Sequence, residues 1–372
     1  MDFDFSDDQQ QLREAARRWV EKAYTFEHRR MAVQAGGFQR ESWNALAELG
    51  LTALNIPEAH GGMGMGAVEA MVVMEEMGRG MVLEPLAQSF ITAQVLSHYA
   101  PEAVQATWLP RIASGESLVV LAHQERRSRY RLDICESKAA LTQDGYTLIA
   151  HKSIVPAGDK ADAFIVPAQL DGKIALFLLE REASGVSTQG YLCQDGSRGS
   201  ELDAERSPAT LITTDGLAAL ELAADIGSAA VCAEAVGVME EVLGITADYL
   251  NQRKQFGVAI ASFQALRHRL ADMKMQLELA RSMSYYASLH LDHAPEHRRR
   301  AVARARVQLG QSMRFVGQQA VQLHGGIGVT DEYIVSHQFK KLSQLEMTYG
   351  DSLHHLGEVS GRMLEMAGVG DA

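Results

Sequence analysis

Two short segments hold residue types whose spacing could do chemistry. The first reads Tyr249-Leu250-Asn251-Gln252-Arg253-Lys254-Gln255-Phe256-Gly257, followed by Ser262-Phe263-Gln264-Ala265-Leu266. It joins a cation, an aromatic ring, a glycine break and an amide just inside the next helix. Arginine forks bind phosphate oxygens bidentately and a phenyl ring stacks on a flat partner, so these groups suit a pyrophosphate beside a flat ring. The second segment, Gln322-Leu323-His324-Gly325-Gly326-Ile327-Gly328, presents backbone amides with no side chain in the way. Such a surface can come close to a phosphate or ribose. Taken singly, each segment also reads as an ordinary turn. Their order along one chain makes them specific.

Other clusters carry less. His290, His293 and His297 recur at spacings of three and four, but Pro295 lies among them and no acid or cysteine joins them, so no metal site is expected. Arg298, Arg299, Arg300, Arg304 and Arg306 read as a solvated helix face or subunit contact, with a seat for a phosphate as the alternative. The glycine-rich run from Ile56 to Gly64 reads as a tight connection between helices, again with phosphate binding as the alternative.

The elements that must position these segments follow from periodicity. Ser6 with Gln9 three residues on has the form of a capping box, and Leu12, Ala15, Trp19 and Ala23 then share one helix face. Further helices are expected around 42–50, 67–77 and 85–99. Between 116 and 215 the pattern turns strand-like and holds all four Asp-Gly pairs of the chain, at 144, 171, 195 and 215. Asp-Gly suits the positive φ angles of tight hairpins, so a small antiparallel β domain is expected there. Beyond 216 the helices return and lengthen. Leu266, Leu270, Met273, Leu277, Ala280 and Met283 mark one stripe; Val302, Ala305, Leu309, Met313, Val316, Ala320 and Leu323 mark another, ending at Gly325-Gly326. The expected domains are 1–115 helical, 116–215 β and 216–372 a helical bundle, an α+β chain.

With 372 residues, 47% apolar and 22% charged, the chain is globular and long enough for two or three domains. The net charge of -12 argues against nucleic acid as a general partner. No basic and apolar leader opens the sequence, and the apolar stretch from Leu217 to Ile245 is broken by five acids, so neither a signal peptide nor a membrane span is expected. Cys135, Cys193 and Cys232 show no framework spacing. A cytoplasmic location follows.

The residues resemble those of the acyl-CoA dehydrogenase family. The resemblance runs from the opening helix through Pro57-Glu58-Ala59-His60-Gly61-Gly62, Arg253-Lys254-Gln255-Phe256-Gly257, Ser262-Phe263-Gln264 and Gln322–Gly328. It implies an N-terminal helical domain, a central β-barrel-like domain, a C-terminal four-helix bundle, FAD as cofactor, an acyl-CoA substrate, a dimer-of-dimers assembly and an electron-transferring flavoprotein as electron acceptor. It also implies that Arg253, Phe256, Gln264, Gln322, Gly325, Gly326 and Gly328 hold the ADP half of a neighbouring subunit's FAD.

The same resemblance brings out what is missing. The family removes an α proton from an acyl thioester with a glutamate pre-positioned in a dry site. In its usual place, 23 positions beyond Gly326, this chain has Tyr349, within Thr348-Tyr349-Gly350-Asp351. At the alternative place used by some members stands Gly227. Where the family has a Thr-Glu-Pro-x-x-Gly-Ser loop over flavin and acyl chain, this chain reads His123-Gln124-Glu125-Arg126-Arg127-Ser128-Arg129-Tyr130; where it has Trp-Ile-Thr beside the flavin ring, it reads Ile154-Val155-Pro156. Pro156 has neither hydroxyl nor N–H to offer. The residues lent to a neighbour persist, whereas those for the chain's own flavin ring and base do not. That pattern resembles heteromeric α2β2 members of the family, and most of all the small subunit of pimeloyl-CoA dehydrogenases, in the opening Met1–Asp7, the run Glu75–Pro85 and Gly350-Asp351. No catalytic residue is assigned in the chain itself. Two alternatives stay open: a self-sufficient homotetramer whose relocated base is Asp351, Glu346 or Glu234, and a non-catalytic assembly subunit.

Overall fold

Ser6 starts the first helix as its spacing requires. Its hydroxyl accepts the Gln9 N–H at 3.2 Å and the Gln9 side-chain oxygen accepts the Ser6 N–H at 3.0 Å, so two amides with no helical partner are satisfied at once. The computed structural model describes residues 5–366; Met1–Asp4, part of the resemblance above, lie outside the described residues. The elements are α1 (Asp7–Ala23), α2 (Phe26–Gln34), α3 (Arg40–Glu48), α4 (Ala67–Gly80), α5 (Leu86–Tyr99), α6 (Glu102–Ala113), β1 (Val119–Leu121), β2 (Lys138–Thr142), β3 (Gly145–Pro156), β4 (Ala163–Leu170), β5 (Lys173–Glu180), β6 (Val186–Leu192) and β7 (Arg198–Thr213). Then come α7 (Gly216–Gln252), the two-residue strands β8 (Lys254–Gln255) and β9 (Val258–Ala259), α8 (Gln264–Leu289), α9 (Pro295–His324), α10 (Ile334–Met347) and α11 (Ser352–Met366). By packing the chain forms two units, one from residues 1–28, 71–82 and 228–372, the other from 29–70 and 83–227.

In the first unit the α9 stripe does what its period demands. All seven of its apolar positions, Val302 through Leu323, are buried in one core with Met273, Leu277 and Ala280 of α8, while Leu266, Leu270 and Met283 pack at its edge. The crossing of α4 with α7 is set by glycines. A Cβ at Gly237 would stand 1.8 Å from the Glu75 carbonyl oxygen, and one at Gly78 would stand 2.0 Å from that of Glu234. Backbone lies on backbone at both points. Gly237→Ala is therefore expected to cost about 3 kcal/mol, because the helices must separate and no flexible side chain can yield. An unchanged melting temperature in that variant would contradict the close crossing.

The same helices are stapled by charge. Arg13 and Arg17 of α1 reach Glu75 and Glu76 at 3.1 and 2.7 Å, while Arg79 reaches Glu240 at 2.5 Å and Arg281 reaches the same residue at 3.3 Å. Burial pushes the Glu75 carboxyl up to about 7, although Arg13 and Arg281 pull it down.

In the second unit, β2, β3, β7, β5 and β4 pair in a closed circuit, with β1 added beside β4 and β6 beside β7. Three of the four Asp-Gly pairs lie in hairpin connections. At Asp171-Gly172 both residues take positive φ, 49° and 79°, the conformation of a type I′ turn, and β4 and β5 close on it with Leu170 opposite Lys173. The fourth pair differs: Gly216 opens α7, where a side chain would meet the Ile174 carbonyl at 2.5 Å. The sheet is also not wholly antiparallel, since β1 runs parallel to β4 and Lys138 of β2 pairs in parallel with Gln169. Phe164, Phe177, Leu148 and Leu202 fill the barrel, and Trp43 of α3 packs with that core and donates its indole N–H to the Gly115 carbonyl at 2.9 Å.

Candidate functional site

The α7 helix ends by handing over to a hairpin. The Arg253 N–H still donates to the Tyr249 carbonyl at 2.9 Å, after which β8 and β9 pair Lys254 with Ala259 and Gln255 with Val258. Phe256 and Gly257 form the turn with φ of 53° and 81°, again a type I′ conformation. Phenylalanine in the left-handed region is uncommon, and its direction here is outward. The Phe256 ring is 91% exposed, touched edge-on by Phe263 at 6.2 Å. Arg253 is exposed beside it, and so is Gln264 at the first position of α8. The turn thus displays a cation and a wetted aromatic face.

The second segment lies at the same end of the bundle. Tyr249 donates its hydroxyl to the His324 carbonyl at 3.2 Å and the two rings stack at 4.4 Å. Gln322 is exposed on the last turn of α9, and Gly325 follows with φ 64° and ψ -140°, a conformation open in practice to glycine alone. At Gly325 and Gly326 a side chain would meet nothing within 4 Å, so their backbone faces open space. Gly328 differs. It is buried, and a Cβ there would lie 2.8 Å from the Val321 carbonyl, so its missing side chain serves the short 3-10 turn over Gly325–Val329. Six of the seven expected residues are exposed at this end; the seventh supports them from beneath.

The position expected for a base is built very differently. Tyr349 takes φ 58° and Gly350 φ 118° in a turn gathered around Arg306. That arginine is 2% exposed and donates to the carbonyls of Leu345, Glu346, Thr348 and Gly350 at 2.8–3.1 Å. Burial and the adjacent guanidinium push His355 down to about 2, so it stays neutral. The candidate acids are all engaged. Asp351 caps α11 by accepting the His354 N–H at 2.8 Å; Glu346 accepts the Ser352 N–H and hydroxyl at 3.0 and 2.6 Å; Glu234 pairs with Lys341 at 2.6 Å. The arginine run is likewise not one solvated face, because Arg298 and Arg306 point inward and are buried.

Further motifs resolve into packing. Gly62 turns back on its own loop, where a Cβ would stand 1.9 Å from the Ile56 carbonyl, so tight connection is the reading the geometry supports. His290 and His293 stack at 4.7 Å between α8 and α9, Pro295 opens α9, and among the described residues no group of three metal-ligating side chains occurs.

In the barrel, periodicity alone missed a buried pair. Lys152, fully buried, donates to Glu125 at 2.5 Å and to the Pro167 carbonyl at 2.9 Å. Glu125 also accepts the Ser137 hydroxyl and N–H and the Glu136 N–H, at 2.6–3.1 Å. Burial alone would raise the Glu125 carboxyl, but Lys152 and these donors outweigh it and hold it at about 2. The signal was present: Leu148, Ala150 and Lys152 alternate on the inward side of β3, and a lysine there demands a counter-ion. Two residues on, Ile154 sits exposed at φ 54° in an irregular stretch of the β3–β7 pairing. A β-branched side chain rarely adopts that angle.

Comparison with known proteins gives consistent results. Residues 6–116 match the family model "Acyl-CoA dehydrogenase, N-terminal domain" and residues 214–364 match "Acyl-CoA dehydrogenase, C-terminal domain". The chain is 28% identical over 369 residues to a probable acyl-CoA dehydrogenase, YngJ, of Bacillus subtilis, covering 95% of this chain and 97% of that one. It is 28% identical over 377 residues to the acyl-CoA dehydrogenase FadE27 of Mycobacterium tuberculosis, covering 98% and 99%. Among solved structures it is similar to a chain of the ChsE4-ChsE5 complex from Mycobacterium tuberculosis, with a TM-score of 0.91, 26% identity, and 98% and 99% of the two chains covered.

Proposed function

The chain belongs to the acyl-CoA dehydrogenase family, whose members depend on FAD, and from that premise we propose that it is the small subunit of a heteromeric enzyme. In this reading it completes the FAD site of a larger partner that carries the glutamate, and the assembly desaturates an acyl-CoA between its α and β carbons. The carrying observation is the exposed end of the bundle, where Phe256 stands 91% in water beside Arg253 and the open backbone of Gly325-Gly326. These residues fit the ADP half of FAD. The guanidinium can take two pyrophosphate oxygens, the ring can cover a flat face, and the glycines allow backbone amides to approach. The chain's own ring-side residues fit less well, since Pro156 has no N–H to donate.

FAD, when bound, accepts the hydride that leaves the substrate's β carbon. The α proton needs a carboxylate base, and Asp351, Glu346 and Glu234 each commit one oxygen to a cap or an ion pair. That supports a base supplied by the partner. The similarity to a chain of the ChsE4-ChsE5 complex is in keeping with a two-chain assembly, and pimeloyl-CoA dehydrogenase small subunits are our choice of nearest subgroup, on Glu75–Pro85 and Gly350-Asp351. We take the domain division as 1–115, 116–215 and 216–372, supported by family segments that end at 116 and begin at 214. An electron-transferring flavoprotein as acceptor and a cytoplasmic location complete the proposal, the latter supported by three cysteines that form no disulfide among the described residues.

The visible spectrum tests this directly, on the chain purified alone and then co-expressed with a dehydrogenase-like neighbouring gene. A colourless chain and a yellow complex holding one FAD per pair are expected. Flavin near one per lone chain, bleached by an acyl-CoA, would overturn the proposal in favour of a self-sufficient tetramer.

A further inference from the structure

We infer that Tyr249 and His324 are positioning residues that set the spacing between the two cofactor-facing segments. The inference rests on the proposed donation of Arg253 and Gly325-Gly326 to a partner's FAD. His324 is 3% exposed, and its Nδ1 lies 2.8 Å from the Ala320 carbonyl. A carbonyl can only accept, so Nδ1 carries the proton and Nε2 is a bare acceptor. Burial lowers the histidine's pKa and keeps the ring neutral. Nε2 is itself buried, with no hydrogen-bond partner among the described residues. A buried ring that forgoes a hydrogen bond is kept at a cost. What it supplies here is a flat surface, stacked by Tyr249 at 4.4 Å and 30° and flanked by Tyr333 at 5.3 Å.

The same pair links both segments through the backbone. The Arg253 N–H donates to the Tyr249 carbonyl, and the Tyr249 hydroxyl donates to the His324 carbonyl, the last one before the glycine turn. Moving either ring shifts Arg253 against the open side of the Gly325-Gly326 backbone. A bidentate clamp on a pyrophosphate tolerates little of that shift.

The test is FAD titration of the co-expressed complex by flavin fluorescence. Tyr249→Phe keeps the stack and loses one neutral hydrogen bond, so FAD should bind about fivefold more weakly. His324→Ala loses the stack and should bind more than about tenfold more weakly, while His324→Phe, which restores a flat ring, should recover most of the loss. Leu309→Ala, a core truncation away from this end, should lower the melting temperature and leave FAD affinity unchanged. If Tyr249→Phe and His324→Ala bind FAD like the parent while Arg253→Ala does not, the inference falls and the functional reading stands. If Leu309→Ala weakens FAD as much as His324→Ala, the pair is only structural and the inference also falls. If Arg253→Ala has no effect, the functional reading falls and carries this one with it.

Discussion

In the co-expressed complex, Arg253→Ala is expected to weaken FAD binding by about 100-fold, leaving the complex largely colourless after desalting. The size follows from what the guanidinium would do. Charge-assisted hydrogen bonds contribute about 1.5–3 kcal/mol each, and the fork can make two to a pyrophosphate in one plane. Removing it leaves phosphate charge facing a half-open site with no cation in the same place. Arg253 is exposed and lies between the end of α7 and the start of β8, outside the core, so the substitution should not lower the melting temperature of the lone chain. That separation makes the outcome readable. Arg253→Lys should keep part of the affinity, because a point charge remains while the planar fork is lost. Full flavin occupancy in the alanine variant would remove this end of the bundle from the cofactor site.

Much of the architecture was legible because it is written in periodicity. The seven-position stripe of α9 can be buried in only one way by a 3.6-residue helix, and every one of those side chains is in the core. Asp-Gly pairs mark hairpins because few other residues accept two successive positive φ angles, and Asp171-Gly172 adopts that conformation. Other elements were hidden for physical reasons. The strand β7 carries Glu201, Asp203, Glu205 and Arg206, which lie on or near its wetter side and mask the alternation of Leu202 and Ala204 inward. The helix α6 holds Pro110 within its last turn, which reads in sequence as a break. At the site, residue types marked Arg253 and Phe256, but nothing in one dimension gives exposure, and exposure is what distinguishes a donated group from a core one. Arg306 shows the reverse. Within a run of arginines its type suggests a solvated face, and only the fold shows it turned inward to gather four carbonyls.

Lys152→Met is expected to destabilise the barrel by about 3–5 kcal/mol, the cost of leaving a buried charge without its partner. Glu125 is 3% exposed and would keep the Ser137 and Glu136 donors, but lose the only cation beside it among its described contacts. Its carboxyl should then shift upward from about 2, because burial is no longer opposed by Lys152. The double variant Lys152→Met with Glu125→Gln should recover most of the loss, since two neutral groups of similar size replace a matched pair. The parent should show the complementary acid behaviour. A carboxyl held at about 2 in the fold and at an ordinary 4.5 when unfolded makes its full contribution above pH 4.5, where both states are ionised. That contribution, about 3 kcal/mol from the shift, is lost as pH falls from 4.5 through 2. Hydrogen exchange of the β3 and β7 amides reads the barrel alone, without requiring the whole chain to unfold in one step. A single Lys152→Met variant with parental exchange in these strands would mean that the pair is solvated in solution, and the depressed carboxyl would then have no cause.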